Sequence, residues 1–167
     1  MSDRRNLVTD EPQLVSELDH AAQTLNQVGR NRLRRIGVSM LAEQRAGRLG
    51  IDRIMPHGRT FTPSSDGEWA LIVPMFAGPP PSLVNGVEGT PLADLLAVQT
   101  GQPDCWWRRF LAPGAILGLD RWEAALADGA AVRVHENPLA WLQADCDGVV
   151  PIDWLEMGAD AGLEVAA

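Results

Sequence analysis

The sequence has no lysine, no tyrosine and only two cysteines. Two cysteines are too few for the disulfide framework of a small secreted domain. No apolar run reaches the roughly 18 residues of a membrane span. The first residues also lack the apolar stretch of a secretory signal. We therefore expect a cytoplasmic protein with free thiols and no membrane span.

The sequence also lacks the motifs of several common enzyme classes. It contains no phosphate-binding P-loop, no G-x-G-x-x-G turn after a strand and no G-x-S-x-G of a serine hydrolase. These absences count against nucleotide-using enzymes built on such loops and against serine hydrolases. We predict no cofactor, and the sequence favours a non-enzymatic protein while leaving an enzymatic activity open.

What is present is a chain of globular composition, with 167 residues of which 46% are hydrophobic. A domain of this size can bury roughly two thirds of its unfolded surface without a covalent staple. We predict an α+β protein in which an N-terminal helical arm precedes a small, mostly antiparallel sheet with short packed helices. The predicted boundaries are 1–50 for the arm, 51–157 for the compact domain and 158–167 for a flexible tail.

The charge is distributed unevenly along the chain. Residues 1–59 hold ten arginines against seven acidic residues, whereas residues 60–167 hold four arginines against fifteen acidic residues. The net charge of −8 therefore conceals a basic arm on an acidic body. This asymmetry predicts either a separate electrostatic task for the arm or docking of the arm on an acidic surface.

The arm carries an amphipathic helical pattern over about residues 10–47. The segment from Thr9 to Pro12 is a good helix start, because threonine can cap and proline is tolerated in the first turn. Apolar residues then recur at helical spacing, and Gly29 interrupts them. We expect one long helix with a soft point or two helices, and self-association through the apolar stripe of this 10–47 region.

Four arginines in six residues form the strongest basic cluster of the chain: Arg30, Arg32, Arg34 and Arg35. On a helix, three of them roughly share one face. Such a face can contact phosphates, so this cluster is a candidate nucleic-acid site. In the alternative interpretation the arginines pair with nearby carboxylates such as Glu17, Asp19 and Glu43, or with an acidic partner chain.

The body begins with segments of mixed character. Prolines and a glycine punctuate residues 51–63, which predicts an irregular segment or an edge strand. The turn signal at residues 64–67 predicts a hairpin between residues 59–62 and a buried strand over 68–76. Residues 91–100 fit a helix or a strand, and we favour a strand. Further along, we expect a helix over 113–127 that breaks at Gly118, and another that Asn137 and Pro138 begin.

The segment from Trp106 to Phe110 is the most unusual in the chain. In a strand, alternation would direct Trp107 and Arg109 to the face opposite Trp106 and Arg108. An aromatic ring beside a cation is the combination that binds single-stranded nucleic acid or a flat ligand. Trp107 and Arg109 are therefore a candidate second contact, and the alternative is that both tryptophans fill the core.

Two further groups could support an enzymatic function. Asp145, Asp147 and Asp153 lie within nine residues and could hold a hard cation through oxygen, although turn chemistry explains them equally well. Cys105, His135 and Cys146 are types that serve as zinc ligands or in thiol catalysis. Because these cysteines are not closely spaced, buried inert thiols are the default interpretation.

The order of motifs carries a resemblance. The segments Trp106-Trp107-Arg108-Arg109, Val132-Arg-Val-His-Glu-Asn-Pro-Leu-Ala-Trp-Leu142 and Asp147-Gly-Val-Val-Pro151 resemble proteins of alphaproteobacterial phages, plasmids and genomic islands. The resemblance covers about residues 68–154. It implies a bacterial, cytoplasmic, mobile-element setting, and no activity is established for those proteins.

Three functional hypotheses follow from the sequence. The favoured one is a non-enzymatic binding or accessory protein of a mobile element that contacts nucleic acid through the basic arm. The second is a protein–protein adaptor whose partner is unknown. The third is a small metal- or thiol-dependent enzyme that uses the region from Asp145 to Asp153 together with His135 and Cys146.

Overall fold

A computed structural model describes residues 4–76, 92–111, 116–152 and 163–165, and the side chains of residues 4–10 and 163–165 lie outside this description. The helices are α1 (Arg4–Thr24), α2 (Gln27–Arg35), α3 (Met40–Ala46), α4 (Leu119–Asp128) and α5 (Pro138–Gln143). The strands are β1 (Gly50–His57), β2 (Thr60–Pro63), β3 (Glu68–Phe76), β4 (Leu92–Val98), β5 (Trp106–Arg108), β6 (Ile116–Leu117), β7 (Val132–Val134), β8 (Val150–Pro151) and β9 (Leu163–Val165).

Five strands form the central sheet, which closes in the hydrogen-bonding order β1-β2-β5-β4-β3. All of its pairings are antiparallel except the short contact between β2 and β5. The pair β6 and β8 and the pair β7 and β9 form two small additional sheets. The predicted α+β class, with N-terminal helices before a mostly antiparallel sheet, is confirmed.

Strands β3 and β4 are buried on both faces. In β3, Leu71, Val73 and Met75 enter one hydrophobic core, whereas Ala70 and Ile72 enter another. Helix α1 covers the second core, and helices α2, α3 and α5 contribute to the first. Successive side chains of a strand point to opposite faces. A nearly continuous apolar strand therefore requires a helical layer on each side of the sheet.

The arm region forms three helices, not the one or two that its periodicity predicts. Asn26 interrupts the first run, and its side chain accepts a hydrogen bond from the backbone N–H of Gly29 at 3.0 Å. Ser39 likewise caps α3 by accepting from the N–H of Ala42 at 3.1 Å. The interruption that was expected at Gly29 thus lies at Asn26, and Gly29 lies inside α2. A new helix can begin after Asn26 because its capping side chain satisfies a free backbone N–H group of the first turn.

The helix start expected at Thr9 is also displaced. Helix α1 begins at Arg4 and contains Pro12 within its length. A threonine followed by a proline is compatible with a first turn, but neither residue stops a helix that has already begun several residues earlier. Proline removes one backbone donor, and the remaining hydrogen bonds of a 21-residue helix tolerate that loss.

The apolar stripe of the arm packs on the chain's own sheet. Leu14, Leu18 and Ala21 are buried with residues of β1, β3 and β4 in one core. Helix α1 is therefore integrated with the domain over residues 51–157, and the boundary at residue 50 crosses a packed interface. The self-association predicted through this stripe would have to use other residues, such as the exposed Val15 and Val28.

The segment predicted to be irregular or an edge strand, residues 51–63, forms two regular strands. β1 uses its first half to pair with β3 and its second half to pair with β2. The hairpin therefore joins β1 to β2 through His57 and Thr60, and the prediction that residues 59–62 pair with β3 is wrong. Pro56 and Pro63 do not prevent these strands, because proline is tolerated in a strand wherever its missing N–H is not needed for pairing.

The later elements follow the sequence more closely. The preference for a strand within residues 91–100 is confirmed by β4, and a helix begins at Pro138 with Asn137 as its cap. The helix expected over 113–127 begins only at Leu119, because Ile116 and Leu117 pair with β8. Over the ranges given above, no helix combines the length and the apolar character needed to cross a membrane.

A buried ion pair connects β4 to β5. Asp94 and Arg108 are both almost completely buried, and the Arg108 Nε atom lies 3.5 Å from the Asp94 Oδ2 atom. The other carboxylate oxygen of Asp94 accepts hydrogen bonds from the backbone N–H groups of Leu95 and Phe110, each at 2.9 Å. Asp94 thus fixes the chain just after β5 against β4.

We predict that Asp94→Ala destabilises the protein by about 3–5 kcal/mol, because it leaves the Arg108 charge buried without its carboxylate. Asp94→Asn should cost less, since the amide oxygen still accepts from the two backbone N–H groups. Urea denaturation followed by circular dichroism measures both values. The exposed Asp128→Ala serves as the control, and equal stability of Asp94→Ala and this control would contradict the prediction.

We also predict that Gly50→Ala weakens the packing of α1 on the sheet. A Cβ atom at position 50 would lie 2.5–2.6 Å from backbone and side-chain atoms of Ala21 and Ala22. Overpacking of this kind typically costs about 1–3 kcal/mol. Gly101→Ala is the matched control, because a Cβ atom there meets nothing within 4 Å. If denaturant midpoints are the same for the two variants, α1 is not packed as described.

Candidate binding groove at Trp69

The four arginines of the basic cluster separate into two pairs. Arg34 forms an ion pair with Glu43 at 2.8 Å, and Arg30 approaches the same carboxylate at 3.5 Å. Both also donate to backbone carbonyls, Arg34 to Val38 and Arg30 to Leu25. These two side chains hold α2 against its neighbours, so the pairing alternative with Glu43 describes them well.

Arg32 and Arg35 are placed differently. Both side chains are exposed at the surface of α2. Neither forms an ion pair with any residue that the structure describes. An unpaired guanidinium at the surface remains available to a phosphate, which it can bind through two parallel hydrogen bonds.

Arg32 lines an open groove of about 540 Å³ between α2 and the first residues of β1 and β3. This volume lies in the range of roughly 300–1,000 Å³ that is usual for ligand clefts. Both polar and apolar side chains form its walls, and they include Val28, Arg32, Leu33, Ile36, Ile51 and Trp69. The groove therefore combines a cation with flat and aliphatic surface.

Trp69 stands between this groove and a smaller one of about 380 Å³. Its side chain is 55% exposed, although the six residues that follow it in β3 are buried. Arg53 and Trp69 are direct partners in the register of β1 with β3. The Arg53 guanidinium lies 5.1 Å from the centre of the indole ring and donates to the Ser65 carbonyl at 2.9 Å.

The pair formed by Trp69 and Arg53 is the aromatic-plus-cation combination that the sequence predicted elsewhere. Local sequence reasoning missed it, because the two residues are sixteen positions apart and meet only through strand register. Trp69 also opens a strand that reads as entirely buried. The sequence feature that could have predicted the exposure of Trp69 is the charged Glu68 beside it, because a charged residue indicates that the start of the strand is accessible to solvent.

The predicted contact at Trp107 and Arg109 has a different environment. Trp107 is partly buried against the core beneath α1, and Trp106 packs against the other core. Arg109 donates to both carboxylate oxygens of Glu17 on α1, with Nε–Oε2 at 2.9 Å and Nη2–Oε1 at 3.1 Å. Its guanidinium also lies over the Phe110 ring at 4.3 Å. These contacts connect α1 to the end of β5.

Two of the three aspartates predicted as a metal site, Asp145 and Asp147, lie among the described residues. Asp145 accepts a hydrogen bond from the Ser39 hydroxyl, and the exposed Asp147 contributes its backbone carbonyl to His135 Nε2 at 2.6 Å. Asp153 lies outside the described residues. Within the described part of the chain, no three histidine, cysteine, aspartate or glutamate side chains come together to hold a metal ion.

The two cysteines lie in different environments. Cys105 is partly exposed and contacts the Gln102 side chain, whereas Cys146 is buried and donates to the Ala42 carbonyl at 3.4 Å. Burial raises the pKa of the Cys146 thiol to about 12. A thiol nucleophile needs a lowered pKa, because the thiolate is the reactive form. Cys146 therefore has the environment of a structural side chain.

We predict that iodoacetamide modifies Cys105 in the native protein and reaches Cys146 only after unfolding. The raised pKa of Cys146 also makes stability depend on pH. The contribution of the neutral Cys146 thiol to the free energy of unfolding is fully present below the usual thiol pKa of 9.0. It is lost as pH rises from about 9 towards 12, because in this range the thiol ionises in the unfolded protein but not in the folded protein. Mass spectrometry after alkylation, and unfolding of Cys146→Ala against wild type over this pH range, measure the two effects. Rapid native alkylation of Cys146 would contradict this description.

Comparisons with known proteins add a likeness of fold. No protein-family model and no curated protein matches the chain. Among solved structures, the RNA polymerase domain of the Mycobacterium tuberculosis primase DnaG is similar, with a TM-score of 0.52 and 12% sequence identity. The alignment covers 90% of this chain and 57% of the primase chain, so this chain spans little more than half the length of that one.

Proposed function

We propose that the protein is a non-enzymatic nucleic-acid-binding accessory protein of a bacterial mobile element. The groove beside α2 carries the proposal, since it places Arg32 within reach of the exposed Trp69. Arg32 would contact a phosphate, and the groove walls would contact sugar or base. Arg35, on the same helix, supplies a second guanidinium at the surface.

The charge distribution limits how such a ligand can bind. The whole chain has a net charge of −8, so a polyanion is attracted only where arginines outnumber acidic residues. Residues 1–59 are such a region, and they provide α2, β1 and Arg53. We therefore expect weak to moderate affinity with few phosphate contacts and a shallow dependence on salt.

The structural likeness supports this proposal in a general way. The similar domain is named as the RNA polymerase domain of a primase, and the α+β architecture extends over 90% of the present chain. A resemblance to phage and plasmid proteins is compatible with a role near replicating nucleic acid. The assignment to a groove rests on this chain's own residues and not on the primase.

We predict that Arg32→Gln and Arg35→Gln each weaken binding of a fluorescein-labelled oligonucleotide and together reduce its salt dependence. Each phosphate contact contributes about 0.7 to the slope of log K against log salt for single strands and about 0.9 for duplexes. Fluorescence anisotropy at several salt concentrations measures both quantities. Stability should be little changed, because neither side chain is buried.

Arg121→Gln on α4 is the matched control, since this exposed arginine lies outside the groove. It should leave affinity and salt dependence near the wild-type values. Equal binding by wild type and the Arg32→Gln/Arg35→Gln double variant would remove the site assignment. Absence of binding by wild type at low salt would remove the nucleic-acid function itself.

A protein–protein adaptor is the second candidate, and exposed apolar side chains on the helical region favour it. Val28 is 59% exposed and Met40 is 63% exposed, and Leu41 lies beside Met40 on α3. Large apolar side chains clustered at a surface can mark a protein interface. Analytical ultracentrifugation of wild type and of Met40→Ser/Leu41→Ser would show whether this surface joins two copies of the chain. If both proteins are monomers, the surface does not mediate self-association, and an adaptor function would require a different protein as the partner.

A further inference from the structure

We infer that Trp69 is a stacking platform for an unpaired base, so that the ligand of the groove is single-stranded nucleic acid. This inference rests on the proposed function and names its substrate class. The first observation is the exposure of Trp69, which is unusual at 55% in a strand whose following residues are buried. The second is the open groove that reaches the same side chain.

Arg53 holds the indole ring in place. Its guanidinium lies over the ring at 5.1 Å, and its hydrogen bond to the Ser65 carbonyl fixes the guanidinium in turn. Arg53 lines the smaller groove together with Trp69 but does not line the larger one. Among the described residues, the cation therefore belongs to the side of the smaller groove, and the larger groove reaches the indole ring without it.

Beside the ring, the larger groove suits a base more than a phosphate. Val28 and Ile51 line the larger groove near the ring, and neither can bind an anion. Base faces stack on aromatic rings irrespective of sequence, because every base has a π face. Arg32 lines the same groove and can bind the phosphate of the stacked nucleotide. One nucleotide thus meets both kinds of contact that non-specific single-strand binders use.

A duplex does not fit this arrangement. Its bases are stacked on each other, so that their faces are covered and only their edges are accessible in the grooves. Stacking on Trp69 requires a base that has left the stack, and the free-energy cost of unstacking is smallest for a base that is already single-stranded. The groove geometry therefore selects single strands over duplexes without reading any particular base.

The test uses the full chain and three probes of equal length: oligothymidine of about ten nucleotides, the same backbone without bases, and a duplex, which carries about twice as many phosphates. Each probe is titrated against wild type, Trp69→Ala and Trp69→Phe, with Leu126→Ala as a control for loss of an exposed apolar side chain outside the groove. Anisotropy of the labelled probe gives affinity, and quenching of tryptophan fluorescence reports contact with the ring. Circular dichroism verifies that each variant is folded.

We expect wild type to bind oligothymidine with quenching and to bind the baseless probe and the duplex more weakly. Trp69→Ala should lose roughly 10- to 100-fold in affinity for oligothymidine alone, because stacking on an aromatic ring is worth that much per base. Trp69→Phe should retain most of the affinity. Leu126→Ala should not differ from wild type.

Equal affinity of wild type for oligothymidine and the baseless probe would overturn the stacking inference, as would an unchanged affinity of Trp69→Ala. If Arg32→Gln still weakened binding in that case, the proposed nucleic-acid function would stand with phosphate contacts only. Failure of wild type to bind any of the three probes at low salt would overturn both the function and the inference.

Discussion

The two-sided burial of β3 and β4 is the constraint on which the rest of the structure depends. Leu96 and Val98 face one core, and Leu95 and Ala97 face the other. Backbone that is buried on both sides must have all its polar groups paired within the sheet, and its side chains need apolar cover above and below. The chain meets this need by folding its basic N-terminal region back over the sheet, with α1 on one face and α2 and α3 on the other.

The same arrangement creates the groove. Helix α2 packs its Leu33 into the core, which leaves Arg32 directed to the boundary between the helix and the sheet. Trp69 is the second residue of β3, and its side chain is exposed although the residues after it are buried. Arg53 on the neighbouring strand then supplies a cation to the exposed ring. The packing of α2 on the sheet and the candidate binding groove therefore use neighbouring residues of the same helix. Substitutions of the exposed groove residues should change binding without changing the stability of the fold.

Charge has different uses in different parts of the protein. Arg108 balances a buried carboxylate, Arg109 connects β5 to α1 through Glu17, and Arg34 stabilises the helical region through Glu43. These three arginines belong to clusters that looked functional in the sequence, and their partners are residues of the same chain. The arginines that remain for a ligand are Arg32 and Arg35, which form no ion pair with the residues that the structure describes. A basic cluster therefore indicates function only after its intramolecular partners are known.

The sequence by itself determined the α+β class, the strand over 68–76, the cap at Asn137 and the basic cluster on a helix, because these depend on periodicity and on local hydrogen bonding. Only the tertiary structure decided which arginines are paired, that α1 lies on its own sheet, and that Arg53 meets Trp69. Those features depend on strand register and on contacts between residues far apart in the chain. Their energies arise from packing that no short window of sequence contains.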